Sequence, residues 1–120
     1  MSSDEMPHDQ IDISPAVIAT IANQAVHQCY GVVGMANKNI MDGIAHALSR
    51  DSRRGIDVTF EDGEIVIDVY VIVQYGTRIR AVAESIQNTV TFHVEKALST
   101  PVRAVNVFVQ DLRMNHDAEA

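Results

Sequence analysis

Apolar residues along this chain switch between a period near 3.6 and a period of two, and the switches mark its elements. Ile11 and Ile13 alternate with Asp12, which predicts a short strand over Gln10 to Ile13. Ser14-Pro15 then starts a helix, because the serine oxygen can cap free N–H groups and proline at the first helical position loses no hydrogen bond. Val17, Ile18, Ile21, Ala22, Ala25, Val26 and Cys29 follow at helical spacing and predict one buried stripe that Gly31 terminates. Gly31 to Gly34 reads as a turn. Ile40, Ile44 and Leu48 fall four apart and predict a second, shorter helix over Asn37 to Ser49. Arg50 to Gly55 returns the chain to solvent.

The segment from Ile56 to Tyr75 is the most informative, since two alternating runs flank Asp62-Gly63, a pair suited to the positive φ angles of a tight hairpin. With those two as the loop, Phe60 pairs with Ile65, Val58 with Ile67 and Ile56 with Val69, so the apolar side chains share one face. The same register sets Glu61 opposite Glu64 and Asp57 opposite Asp68, like charges that need water between them. After Gly76, with Thr77 as the expected N-cap, Ile79, Val82, Ala83, Ile86, Val90, Val94, Ala97 and Leu98 predict a long helix. Beyond Pro101, Val102 to Leu112 alternates as a last strand with Val105, Val107 and Val109 on one face.

This order predicts an α+β domain: a four-stranded, mainly antiparallel sheet with two long helices packed on one face, βαββαβ-like with an extra short helix. The domain spans residues 10–113, between an N-terminal tail, 1–9, and an acidic C-terminal tail, 114–120. Helices on one side leave the other sheet face open. Val66, Tyr70 and Ile72 come out on that face, joined by Phe108 and Leu112 if the last strand pairs suitably, and they form the candidate protein-interaction face.

Composition narrows the function. One domain is expected from 120 residues, and 47% hydrophobic content suffices for a core without disulfides or a structural metal. The single cysteine indicates a reducing compartment, taken as the cytoplasm. No apolar run approaches the length of a membrane span, and the polar, acidic start lacks the features of a secretory signal. A formal net charge of −7 disfavours binding to phosphate backbones, a trend that only the local cluster Arg50, Arg53, Arg54 and the pair Arg78, Arg80 run against.

Candidate chemistry is sparse, and neither a catalytic site, a cofactor nor a metal is expected. Cys29 lies on a buried stripe, whereas a nucleophilic thiol needs an exposed, electropositive setting. Asp42 and His46 stand four apart on one helix face, a spacing that metal sites use, but zinc needs a third protein ligand. His8, His27, His93 and His116 have no carboxylate placed beside them to make a general base. Asp57, Glu61, Glu64 and Asp68 spread along about 10 Å or more of strand, too far for the converging oxygens of a calcium site. Gly31-Val32-Val33-Gly34 between two helices resembles the GxxG loop of KH domains, so a KH-like nucleic-acid-binding module is the alternative reading; two valines in an acidic chain offer phosphate little.

A wider pattern runs through the domain: Ile11-Asp12-Ile13-Ser14-Pro15, Val17-Ile18, Ile21-Ala22, Gly31-Val32, Gly34-Met35, Tyr75-Gly76, Val82-Ala83, Ile86-Gln87, Val90, Val94-Glu95 and Val105-Asn106-Val107. In order and spacing it resembles the alkaline-shock, general-stress protein family of Gram-positive bacteria over about residues 11–112. That resemblance implies an abundant cytoplasmic protein linked to envelope stress, with no established enzymatic activity or cofactor. It also implies a tendency to homo-oligomers or filaments and, for some members, a membrane-anchored protein partner that holds them peripheral to the membrane. The expected function is therefore a non-enzymatic assembly or scaffold protein acting through self-association and protein–protein contacts.

Overall fold

A computed structural model describes residues 12–36, 52–53 and 55–114. Its elements are α1 (Pro15–His27), β1 (Val32–Met35), β2 (Ser52–Arg53), β3 (Ile56–Glu61), β4 (Glu64–Gln74), α2 (Ile79–Leu98) and β5 (Val102–Arg113). This is an α+β fold with both helices packed on one face of a single sheet.

The hairpin has the register that its sequence dictates. Ile56 faces Val69, Val58 faces Ile67 and Phe60 faces Ile65, while Asp57 faces Asp68 and Glu61 faces Glu64. Asp62 and Gly63 form the turn with φ of 54° and 80°. Ile56, Val58, Ile65, Ile67 and Val69 are buried in the core; Phe60, at the turn end, is 49% exposed and stands outside it.

β4 is the axis of the sheet. β3 pairs antiparallel with residues 64–69 of β4, and β1 pairs antiparallel with residues 71–73. Both lie on the same flank of β4, because Tyr70 N–H donates to Gly55 O at 2.8 Å and Tyr70 O accepts from Ala36 N–H at 3.0 Å. β1 and β3 thus run end to end as one strand interrupted between Ala36 and Gly55. β2 pairs antiparallel with β3, and β5 pairs parallel with the whole of β4 from Ile65 to Gln74. The five segments therefore make a sheet four strands wide, in the order β2, β3 with β1, β4, β5. The α2 crossover between the adjacent parallel strands β4 and β5 is a simple βαβ unit.

Several sequence expectations change. The Gly31 to Gly34 turn is strand instead: after the tight bend at Gly31, Val32 and Met35 join the edge of β4 and pack on the core. Asp12 to Ser14 is not strand, although Ile13 packs against the core; Gln10 and Ile11, and the helix expected over Asn37 to Ser49, lie outside the described residues. Ser14 is the N-cap of α1 but through its backbone, Ser14 O accepting from Val17 N–H at 3.0 Å, with no side-chain cap bond. Arg78, not Thr77, is the N-cap of α2, because Thr77 Oγ1 donates to Gln74 O at 2.7 Å and so belongs to the preceding turn.

The core closes between α1, α2 and the near sheet face. α1 contributes Ile18, Ala19, Ala22, Ala25 and Val26, and the alanines let the two helices approach closely. Val17, expected on this stripe, is 47% exposed, and Ala19 takes the inward position. α2 contributes Val82, Ile86, Val90 and Val94, each four residues after the last, while Ile79 and Ala97 at its ends are exposed.

Candidate interaction surface

The alternation that buries Ile65, Ile67, Val69, Val71 and Val73 sends Val66, Asp68, Tyr70, Ile72 and Gln74 to the far face of β4. The candidate interaction residues Val66, Tyr70 and Ile72 do lie together there, but the expectation that all three face water is corrected. Val66 and Tyr70 are only 6% and 8% exposed, and Ile72 is half-buried. Neighbouring rings supply part of the cover: Phe108, opposite Tyr70 on β5, stacks on it with centroids 4.8 Å apart and planes 15° apart. Phe108 itself remains 40% exposed, so it carries the apolar character of this face outward. Leu112 is also exposed, but the bulge before it aligns it with Val73 rather than with the far-face residues.

Toward the hairpin turn the same face is charged, and β5 answers the crowded carboxylates. Arg103 lies 3.4 Å from Glu64 Oε1, 3.6 Å from Asp62 Oδ2 and 3.9 Å from Glu61 Oε1. Asn106 Nδ2 donates to Asp68 Oδ1 at 2.9 Å. The sequence reading assigned these acids to water alone. It missed Arg103 and Asn106 because only the parallel pairing of β4 with β5 brings them within reach.

β5 is a 12-residue strand paired with β4 alone among the described strands. Its ends are nevertheless dressed by side chains. Glu95 Oε2 accepts from Val102 N–H at 2.9 Å, Gln87 Nε2 donates to Val105 O at 3.1 Å, and Asp111 Oδ1 accepts from Leu112 N–H at 2.8 Å. Extra residues also break the register near both ends, between the partners of Ile65 and Val66 and between those of Val71 and Ile72. Bulges and local caps of this kind blunt a strand edge.

The remaining candidates are scattered. Cys29 is buried just beyond α1, its Sγ 3.6 Å from Ala25 O. Asp42 and His46 lie outside the described residues, as do Arg50 and Arg54. Arg78 and Arg80 sit at the start of α2, where Arg80 makes an exposed ion pair with Glu84 at 3.8 Å. Among the described residues no group of three or more histidine, cysteine or acidic side chains is placed to hold a metal ion. The Gly31 to Gly34 stretch is bound into the sheet, with Gly31 O accepting from Gln74 N–H at 2.9 Å, so it is not the free loop between helices that a KH-type clamp requires.

Residues 3–114 match the alkaline shock protein family, described by a cell envelope-related function. The chain belongs to this family. It is the family whose pattern the sequence carries. Among its relatives is the uncharacterized protein YloU of Bacillus subtilis, 43% identical over 111 residues that cover 91% of this chain and 92% of that protein. The uncharacterized protein Spy1614 of Streptococcus pyogenes is 36% identical over 106 residues, covering 87% of this chain and 88% of that one. The uncharacterized Bacillus subtilis protein YqhY is more distant, 27% identical over 111 residues, 92% of this chain and 82% of its own length. No solved structure matches. For this alkaline-shock-family chain, no helix among the described residues is long and apolar enough to cross a membrane.

Proposed function

We propose that this alkaline-shock-family protein serves the cell envelope as a non-enzymatic assembly or scaffold protein, acting in the cytoplasm through self-association and protein–protein contacts. The observation that carries this reading is the β5 side of the sheet. There a long strand ends the sheet among the described strands, with Phe108 40% exposed on the far face, Leu112 39% exposed near its end and Met114 45% exposed just beyond it. Apolar groups left exposed at a sheet edge favour contact with another protein surface over continued hydration.

Burial of Val66 and Tyr70 narrows the interaction face to its rim, where Phe108 is accessible beside the half-buried Ile72. The net charge of −7 opposes direct binding to anionic lipid, so a position beside the membrane would come through a membrane-anchored protein partner. Sedimentation velocity of the full chain, from low to high micromolar, tests the reading: sedimentation as a multiple of 13.2 kDa that grows with concentration supports it. A single 13.2 kDa species throughout removes self-association.

A further inference from the structure

The hydrogen-bonding groups of β5 define where and how a second copy would join. Along β4, the far-face residues direct their backbone groups toward β1 and β3, as Tyr70 and Gln74 show, and the core-face residues direct theirs toward β5. In the parallel ladder Ile67 lies opposite Val105 and Val69 opposite Val107, so the bonds from β4 go to Ala104, Asn106 and Phe108. Val105, Val107 and Val109 therefore point their N–H and C=O groups outward from the sheet. Gln87 already occupies Val105 O, and the caps at Val102 and Leu112 close the two ends. Among the described residues, Val107 and Val109 are the outward-facing valines with both N–H and C=O open, and they form a window beside the single N–H of Val105 in a partly dressed edge.

We propose that a second copy of this chain fills that window by antiparallel pairing of β5 with β5 about a two-fold axis through Phe108. In this register Val107 of each copy faces Val109 of the other, and each such pair exchanges both of its N–H···O bonds. The window is thereby satisfied without disturbing Gln87, Glu95 or Asp111. Phe108 meets its own copy at the non-hydrogen-bonded position, where side chains approach most closely. Each Phe108 is stacked on Tyr70, so the pairing extends a two-ring stack into a row of rings across the new seam.

Charge along the seam permits this occupant. Two copies of a chain with net charge −7 repel, yet Ala104 to Gln110 contains no ionisable side chain, and the acidic hairpin turn lies at the far end of β5 beside Arg103. The two-fold axis perpendicular to the sheet would set both α2 helices on the same face of the joined sheet. Phe92, 58% exposed on the flank of α2 above β5, is positioned to gain cover there.

The inference rests on the self-association reading and is separable from it. The test uses Phe108→Cys in the full chain with Cys29→Ala, followed by mild oxidation with diamide and non-reducing electrophoresis. Pairing about Phe108 places the two introduced thiols at a cross-strand separation that a disulfide can span, so most of the protein should become a covalent dimer. Gln110→Cys alone should not cross-link, whereas Gln110→Cys mixed with Asn106→Cys should. Phe108→Glu, which sets two carboxylates face to face, should sediment as monomer with an unchanged circular dichroism spectrum. If the native chain self-associates but Phe108→Cys fails to cross-link and Phe108→Glu keeps the oligomer, the β5 seam is wrong while self-association stands. If Phe108→Glu does not fold, the cross-linking pattern alone decides. A native chain that stays monomeric at high micromolar concentration, with no cross-link, overturns both.

Discussion

Gly31 and Val82 approach so closely that a Cβ on Gly31 would lie 2.8 Å from Val82 Cγ2. Gly31 also holds φ at +92°, in the region that side chains disfavour, as the chain bends from α1 into β1. Two separate penalties therefore await Gly31→Ala, one conformational and one steric. We expect it to lower unfolding stability by about 1–3 kcal/mol in urea titration. Val82→Ala should relieve only the steric part, so the double variant should lose less than the sum of the single losses.

Gly55 and Gly63 share a similar φ, +82° and +80°, but not a similar setting. A Cβ on Gly55 would press on Ala36 O at 2.8 Å and Tyr70 O at 2.9 Å, in the seam where β1 hands over to β3; around Gly63 nothing lies within 4 Å. Gly55→Ala should therefore destabilise clearly more than Gly63→Ala, whose cost is limited to about 1 kcal/mol of backbone strain. Equal thermal midpoints for the two variants would mean that the seam tolerates displacement and that the interrupted strand is not rigid there.

This seam also marks the limit of what the sequence disclosed. The β3–β4 register followed from local chemistry, because Asp62-Gly63 fixes the loop and the alternation of Ile65, Ile67 and Val69 leaves one burial pattern. The helices followed from the spacing of Val82, Ile86, Val90 and Val94 and of Ile18, Ala22 and Val26. By contrast, β1 holds only Val32 to Met35, too short for a periodic signal, and Gly31 just before it and Gly34 within it resemble the glycines of a turn. It becomes strand because β4 outlasts β3 by several residues and offers it a free ladder. Of the candidate surface, the alternation placed Val66, Tyr70 and Ile72 on one face, but their burial depends on partners such as Phe108 that lie far along the chain. The edge caps at Gln87 and Glu95 are likewise invisible until α2 and β5 are docked.

Arg103 balances three carboxylates at the hairpin turn, all substantially exposed. Exposed pairs are individually weak, so Arg103→Ala should cost about 0.5–1 kcal/mol at low ionic strength. Screening should shrink that loss as salt rises toward about 1 M. A loss independent of salt would assign the role of Arg103 to packing of its side-chain stem rather than to charge.

Ser99 caps α2 in the left-handed conformation, with φ 55° and ψ 37°, and its N–H donates to Glu95 O at 2.8 Å. Glycine is the residue best suited to that backbone, because it has no Cβ to collide with the following carbonyl. Among the described residues the Ser99 side chain has no hydrogen-bond partner, whereas its neighbour Thr100 donates from Oγ1 to Leu98 O at 3.1 Å. Ser99→Gly should consequently keep the cap bond and relieve the strain, at the cost of a more flexible unfolded chain. The net expectation is a gain of about 0.5–1 kcal/mol, seen as a higher denaturation midpoint with unchanged slope. The adjacent bond from Val102 N–H to Glu95 Oε2 ties the same turn to β5, so Glu95→Ala should act in the opposite direction and loosen the start of the edge strand. Amide exchange at Val102 distinguishes the two effects: it should slow or hold steady in Ser99→Gly and quicken in Glu95→Ala. Destabilisation by Ser99→Gly would show that the serine hydroxyl, and not the backbone alone, holds the turn.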